Sequence, residues 1–140
     1  MKIKVIMLEP NKVAHVEEIE DSLESLQAAV GGGFIEPVYP FEDPVCIVCN
    51  EEGKINGMEF HRGLRDEDGR IIDILAGPCF ICGLGEENFE SVPEELIDKY
   101  TEMFDFPEMF MNFMGEIVGI KFDPVFEPED GDESEDDSDC

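Results

Sequence analysis

The chain has 140 residues, of which 36 are acidic and 9 are basic, so its formal net charge at pH 7 is −27. This excess of acids excludes direct electrostatic binding of nucleic acid or of an anionic membrane, because too few cations are present to replace the counterions of the phosphates. No run of about 18 apolar residues predicts a transmembrane helix, and the first residues lack the apolar core of a signal peptide. The hydrophobic fraction of 42% is sufficient for a folded core.

The acidic charge is concentrated at the end of the chain. Residues 127–139 hold nine acidic residues and no basic one. Such a segment repels itself and has little apolar surface to bury, so it is predicted to be disordered. We therefore expect one folded domain at residues 1–124 and a disordered acidic tail at residues 125–140. The domain itself keeps 27 acidic and 9 basic residues, a net charge of −18.

The first half of the domain alternates between strand-like and helix-like patterns. Residues 2–8 predict a strand, and the alternation over residues 12–19 predicts a second strand paired with it as a hairpin. Asp21, followed three residues later by Glu24, is typical of a capping box, so a helix is predicted from there to the glycines at residues 31–33. Further strands are predicted at residues 34–39 and 45–49.

The second half begins with a polar segment, residues 54–70, that is predicted to be irregular. The apolar run at residues 71–81 predicts a strand interrupted at Gly77-Pro78, and Ser91 with Glu94 predicts the start of a second helix. Residues 109–114 predict a further helical turn or two, and residues 116–122 a last strand. The predicted fold class is α+β: a single domain with a mainly antiparallel sheet of about six strands and two main helices.

Several motifs in the middle of the chain carry a resemblance. They include Asp43-Pro44-Val45, Cys49-Asn50-Glu51-Glu52-Gly53, Arg62-Gly63-Leu64-Arg65-Asp66 and Ile72-Asp73-Ile74-Leu75. Together they resemble a family of small domains of unknown function from phages, plasmids and conjugative elements of Gram-positive bacteria. The resemblance covers about residues 1–122. It implies a mobile-element accessory protein inside the cell, and it implies no catalytic residues.

Four of the five cysteines form two Cys-x-x-Cys pairs. Cys46, Cys49, Cys79 and Cys82 have the residue types of a tetrahedral zinc site. Both pairs lie in strand-like runs, however, and residues i and i+3 of a strand point to opposite faces, so the interpretation as core thiols is favoured over zinc. Cys140 is expected to be an exposed free thiol. Unpaired cysteines in an acidic chain favour a reducing compartment, the cytoplasm.

The three arginines of the chain lie within nine residues of one another, beside a histidine. Arginine forks bind carboxylate or phosphate groups in a two-point geometry, so this segment is a candidate site for a small anionic ligand. The alternative is structural: neighbouring acids at residues 66–68 neutralise the arginines and hold a loop in place. The candidate ligand-binding residues are Asn56, His61, Arg62, Arg65, Arg70 and Asp73.

Residues 103–114 are rich in methionine and phenylalanine. Such a segment is typical either of a partner-binding surface or of core packing by a helix and its extension. Core packing is the favoured interpretation, because apolar residues at helical spacing normally face the interior.

Three functional hypotheses follow from these patterns. The first is a non-catalytic mobile-element accessory protein that binds a basic host or defence protein, as an acidic mimic of nucleic acid. The alternative is a protein that binds a small anion such as a nucleotide through residues 61–70. A zinc-stabilised adaptor is the second alternative. Catalysis ranks last, because no nucleophile–base pair and no phosphate-binding loop is present.

Overall fold

The computed structural model describes residues 1–124 and contains two helices and ten strands within that range. In chain order the elements are β1 (Lys2–Leu8), β2 (His15–Glu20), α1 (Leu23–Ala29), β3 (Ile35–Val38), β4 (Val45–Asn50), β5 (Phe60–Arg65), β6 (Ile71–Ala76), β7 (Cys79–Leu84), β8 (Phe89–Glu90), α2 (Glu94–Met103), β9 (Glu108–Phe113) and β10 (Glu116–Lys121). The predicted α+β class with mainly antiparallel strands is confirmed, although the strands are more numerous than expected. The predicted tail at residues 125–140, with Cys140, lies outside the described residues.

A central antiparallel sheet organises the domain, with the strand order β2-β1-β7-β4-β3 and with β8 added alongside β7. The predicted β1–β2 hairpin is confirmed, and its register pairs Lys2 with Glu20. The inner strands contain continuous apolar runs at residues 5–8 of β1, 45–49 of β4 and 79–84 of β7. Their side chains are buried on both faces, as expected for strands that are covered on both sides.

Each face of the sheet supports its own hydrophobic cluster. On one face, Ile6, Ile47 and Ile81 pack with α2 and with the β5–β6 hairpin. On the other face, Val5 and Phe80 pack against α1. Because successive residues of a strand point to opposite sides, each inner strand contributes to both clusters.

The β5–β6 hairpin corrects two expectations from the sequence. Residues 54–70 were expected to be irregular, yet they contain β5. The apolar run at residues 71–81 is two strands in different sheets, because the chain turns at Gly77, whose φ of 74° is readily adopted only by glycine. The turn lets β6 pair with β5 and lets β7 enter the central sheet.

The start of each helix also differs from the expected capping box. The N-cap of α1 is Ser22, whose Oγ accepts a hydrogen bond from the Ser25 amide at 3.2 Å. Helix α2 begins after Pro93 without a side-chain cap. Ser91 lies two residues before the N-cap position, and its hydroxyl instead accepts a hydrogen bond from the Lys4 amide of β1.

The β9–β10 hairpin replaces the predicted helical extension at residues 109–114. Its register pairs Met111 with Val118 and Glu108 with Lys121. The connection uses Met114 and Gly115, both with positive φ, 54° and 87°. Two consecutive residues of this kind are typical of the tight hairpin turn whose twist matches that of the strands.

Candidate functional site

Arg62 is completely buried at the junction of β5, α2 and the β1–β2 connection. Its guanidinium donates hydrogen bonds to the carbonyl oxygens of Phe104 (2.7 Å), Lys12 (2.7 Å) and Glu9 (3.0 Å). Burial lowers the pKa of Arg62 to about 10, so the group stays charged at pH 7. Its donors are taken up by the backbone, and no surface remains on Arg62 for a ligand. The geometry therefore favours a structural role for Arg62 over ligand binding. Its partners are backbone carbonyl groups, and not the neighbouring acids at residues 66–68.

His61 stands beside Arg62 and is almost completely buried. A register shift in the β5–β6 pairing at residues 60–62 gives β5 one extra residue, which lets consecutive side chains both turn inward. The His61 Nδ1 accepts from Arg62 Nη1 at 3.1 Å, so Nε2 carries the proton and donates to the Gly77 carbonyl at 2.6 Å. Burial, followed by the charge of Arg62, lowers the pKa of His61 to about 4. The imidazole is thus neutral at pH 7 and fixed in one tautomer.

Arg65 forms a two-point ion pair with Glu108, the first residue of β9. The distances are 2.6 Å from Nη2 to Oε1 and 3.1 Å from Nη1 to Oε2. The Glu108 side chain is only 3% exposed and also accepts from the Gly63 amide. This hydrogen bonding to Glu108 raises the pKa of Arg65. The pair fixes the β9–β10 hairpin to β5. Glu108 was not among the predicted site residues, and its signal in the sequence is an acid at the start of a mainly apolar run.

The other predicted ligand residues lie apart from Arg62 and Arg65. Asn56 and Arg70 are on exposed turns, and the Arg70 amide donates to the Asp66 carboxylate. Asp73 is exposed on β6 and pairs with Lys54 on the surface. The structure therefore brings together only His61 and Arg62 of the predicted set, and it brings them together as buried structural groups.

The cysteines form two cross-strand pairs on opposite faces of the central sheet. The register of β4 and β7 places Cys46 opposite Cys82, with 3.8 Å between the sulfur atoms. Cys49 and Cys79 belong to the cluster on the other face. Within residues 1–124, no group of three or more histidine, cysteine or acidic side chains is placed to hold a metal ion. The four thiols therefore do not converge on one tetrahedral site. The reason is that residues i and i+3 of each strand point to opposite faces of the sheet.

The thiols of β7 are also poorly suited to reactive roles. The neighbouring thiol of Cys49 and burial raise the pKa of Cys79 well above its usual value. The hydrogen-bonded Cys46 thiol and burial have the same effect on the pKa of Cys82. Because the thiolate is the nucleophile and the metal ligand, both side chains behave as core residues at neutral pH.

Most of the cationic charge is neutralised within the domain itself. Besides Arg65, five lysines lie within ion-pair distance of a carboxylate: Lys4 with Glu94, Lys12 with Glu9, Lys54 with Asp73, Lys99 with Asp43 and Lys121 with Asp105. Residues 1–124 contain 27 acids against 9 bases, so a large excess of carboxylates is left. Exposed acids follow one another on β2, where Glu17, Glu18 and Glu20 lie on an edge strand of the central sheet.

The β9–β10 hairpin presents an apolar outward face. Its members share one side of the hairpin by register and are 39–62% exposed: Met109, Met111, Phe113, Val118 and Ile120. The inward face carries Glu108, Phe110 and Gly119, and a side chain at Gly119 would collide with the Glu108 carboxylate. The sequence favoured core packing for the methionine- and phenylalanine-rich segment at residues 103–114. That prediction is wrong for the outward face, whose side chains are exposed.

Two cavities adjoin the hairpin. One of about 790 Å³ lies between it and the start of β5, and its wall includes Glu59, Phe60, His61 and Phe110. The other, of about 450 Å³, is lined by Arg65 and by apolar side chains such as Phe41 and Phe104 together with Lys121. Both cations of the second cavity are already paired with acids.

Comparison with known families places the chain in one of them. The chain belongs to the family described as Domain of unknown function (DUF3846), which matches residues 1–105. Neither a curated protein nor a solved structure matches the chain. The match ends at Asp105, so the β9–β10 hairpin lies beyond the matched part.

Neither α1 nor α2 is long and apolar enough to cross a membrane.

Proposed function

We propose that this protein is a non-catalytic accessory protein of a mobile element that binds a basic host or defence protein in the cytoplasm. Its acidic surface takes the place of nucleic acid on that partner. The observation that carries the proposal is the charge arrangement: seven of the nine lysines and arginines are in ion pairs or buried, and the surplus acids remain at the surface. Such a surface attracts a cationic partner over long range and speeds its association.

The edge strand β2 carries several of the surplus acids. Glu17, Glu18 and Glu20 are all exposed there, and Glu24 follows on α1. Glu18 and Glu20 point to one face of the strand, about 7 Å apart, and Glu17 points to the other, because successive strand residues alternate. A protein that binds the phosphates of DNA with lysines and arginines would meet a comparable group of carboxylates.

Competition with DNA tests this function directly. A purified basic nuclease, loaded with fluorescent duplex DNA, is titrated with the protein at about 0.05 M and about 0.3 M NaCl. We expect displacement of DNA at low salt and a strong loss of displacement at high salt. The triple variant Glu17→Gln, Glu18→Gln, Glu20→Gln should displace less DNA than the matched variant Glu51→Gln, Glu52→Gln, Glu95→Gln, which has the same net charge. Displacement that is absent at low salt, or indifferent to salt, would contradict the proposal.

A second candidate is binding of a small anion in the cavity beside Arg65. It is supported by the presence of Arg65 and Lys121 on the same wall, next to the rings of Phe41 and Phe104. It is weakened by the ion pairs that already occupy both cations. A thermal-shift titration with nucleotides decides it, because a ligand at about 100 times its dissociation constant stabilises the folded state by about 2.7 kcal/mol. No shift at millimolar nucleotide would remove this candidate.

A further inference from the structure

We propose that the outward face of the β9–β10 hairpin is a docking surface for an amphipathic basic segment of the partner protein. The segment has one apolar side, which lies on the outward face, and lysine or arginine residues along its borders. This inference rests on the proposed function, since it names the surface and the chemistry of the partner.

The first support is the contrast between the two faces of the hairpin. The inward face is fixed to the body by the Arg65–Glu108 ion pair and by the approach of Phe110 to Gly63. Residues 1–124 leave the outward face largely exposed, and Phe113 and Met109 are 62% and 60% exposed. Single exposed apolar residues are ordinary, but a contiguous face of five such side chains marks an interaction site.

The second support is the size and shape of this surface. Each strand of the hairpin has six residues and is about 20 Å long, at about 3.3 Å per residue. A helix of about 13 residues has the same length, and its diameter of about 10 Å covers two adjacent strands. The methionines at positions 109 and 111 suit such an occupant, because their flexible thioether chains adapt to irregular apolar partners.

The third support is charge. Residues 1–124 have a net charge of −18, and nine more acids follow at residues 127–139, soon after β10. Like charge of this size opposes a second copy of the chain as the occupant, whereas a basic segment gains from it. Glu116 also belongs to the outward side of the hairpin, at its tip.

The cavity of about 790 Å³ extends this surface, because Met109 belongs to both. Its wall combines the aromatic rings of Phe60 and Phe110 with the exposed Glu59 carboxylate. Lysine and arginine side chains bind against aromatic faces and carboxylates. The neutral His61 adds no opposing charge there at pH 7. One cationic side chain of the docked segment is therefore expected to enter this cavity.

The experiment uses three synthetic peptides of about 14 residues as probes. The first is an amphipathic helix of leucine and lysine, the second has serine in place of each leucine, and the third has glutamate in place of each lysine. Binding to the full-length protein is measured by fluorescence anisotropy at about 0.1 M NaCl. We expect the leucine–lysine peptide to bind most tightly, the serine–lysine peptide weakly, and the leucine–glutamate peptide not at all.

Paired variants then locate the site. Met111→Ser with Phe113→Ser should weaken binding of the leucine–lysine peptide by at least about tenfold, because both exposed anchors are lost. The matched control, Phe34→Ser with Ile55→Ser, removes apolar side chains that are 69% and 84% exposed elsewhere, and should change binding less than about twofold. Val118→Thr with Ile120→Thr keeps β-branched residues in β10 and serves as a second test if the first pair fails to fold.

The outcomes separate this inference from the function on which it rests. If the leucine–lysine peptide binds the outward-face variants and the control equally, the proposed docking surface is wrong. The proposed function, binding of a basic partner, is unaffected by that result. If neither lysine peptide binds even at low salt, both proposals fall. A concentration-dependent dimer in sedimentation equilibrium that disappears in the outward-face variants would assign the face to a second copy, and would likewise overturn the inference.

Discussion

The central sheet and the β9–β10 hairpin are both rich in large apolar side chains, but they use them differently. In β4 and β7 these side chains are almost entirely enclosed, with Ile47 and Phe80 completely buried. In the hairpin, the outward face leaves about half of each side chain in water, and the inward face is attached through the Arg65–Glu108 ion pair and the approach of Phe110 to Gly63. Apolar composition alone therefore does not identify a core. A strand face is enclosed only where another element packs against it.

The family match follows the same division. It covers the central sheet, both helices and the β5–β6 hairpin, and it ends before β9. The enclosed part is thus the shared domain, and the exposed hairpin is the part on which we place partner recognition.

Replacing the buried arginine should have the largest effect. Arg62→Ala leaves the carbonyl groups of Phe104, Lys12 and Glu9 without their donors, so we expect a loss of about 4 kcal/mol in the free energy of unfolding. Urea unfolding followed by circular dichroism measures it. Arg70→Ala, on an exposed turn, is the control and should stay within about 0.5 kcal/mol of the wild type. A loss for Arg62→Ala no larger than that of the control would refute the structural role.

Acid should weaken the same junction through His61. The folded-state pKa of His61 is about 4, below the value of about 6.5 in an unfolded chain, because burial disfavours the charged form. The unfolded state therefore binds more protons between these values. The stabilising contribution is fully present above about pH 6.5 and is lost as the pH falls to about 4.

The size of this effect is at most about 3 kcal/mol, and it is isolated by comparison with His61→Gln, whose amide does not titrate. Unfolding free energies of both proteins are measured at several pH values from 7 to about 4. Since every other ionisable group is the same in both proteins, the difference between the two curves reports His61. Parallel curves would show that His61 is not held neutral in the fold.

Breaking the connection between body and hairpin should cost less. Glu108→Ala removes both hydrogen bonds to Arg65 and the one from the Gly63 amide, and we expect a loss of about 2 kcal/mol. The figure is moderate because Arg65 is 35% exposed and water replaces part of what it loses. Hydrogen exchange should show faster opening of β9 and β10 than of β1 and β7. Equal acceleration in both regions would contradict a role confined to the hairpin.

The smallest effect is expected from zinc. Because Cys46 and Cys82 lie on one face of the sheet and Cys49 and Cys79 on the other, one equivalent of zinc should change the melting temperature by less than about 2 °C. Calorimetry with zinc and with a chelator measures this. Magnesium is the control. A rise well beyond that limit would show that the thiols can converge.

The parts of the fold that depend on local patterns could be predicted from the sequence. The alternation after Lys12 predicted the β1–β2 hairpin, and the glycines at residues 31–33 marked the end of α1. Strand β5 could not be recognised, because His61 and Arg62 are polar residues at buried positions. Their partners at Gly77 and Phe104 are 16 and 42 residues away in sequence, and no local pattern shows such hydrogen bonds.

The hairpin was misread for a different reason. Only Glu108 and Asn112 are polar in β9, and they lie four residues apart, so no strict alternation signals a strand there and the helical spacing of α2 favoured a continued helix. The turn at Met114-Gly115 lacks the asparagine or aspartate that usually signals such a hairpin. The exposure of the outward face follows only from the inward attachment through Glu108, which is a tertiary contact.

The central claim, a basic partner bound through an acidic domain and the outward face, is tested most directly by affinity capture from the native host. The wild type, the Met111→Ser/Phe113→Ser variant and the Phe34→Ser/Ile55→Ser control are each immobilised, and retained proteins are quantified by mass spectrometry across a salt gradient. The account predicts a basic protein that the wild type and the control retain at low salt, that high salt releases, and that the outward-face variant fails to hold. Retention of the same proteins by all three, unaffected by salt, would contradict it.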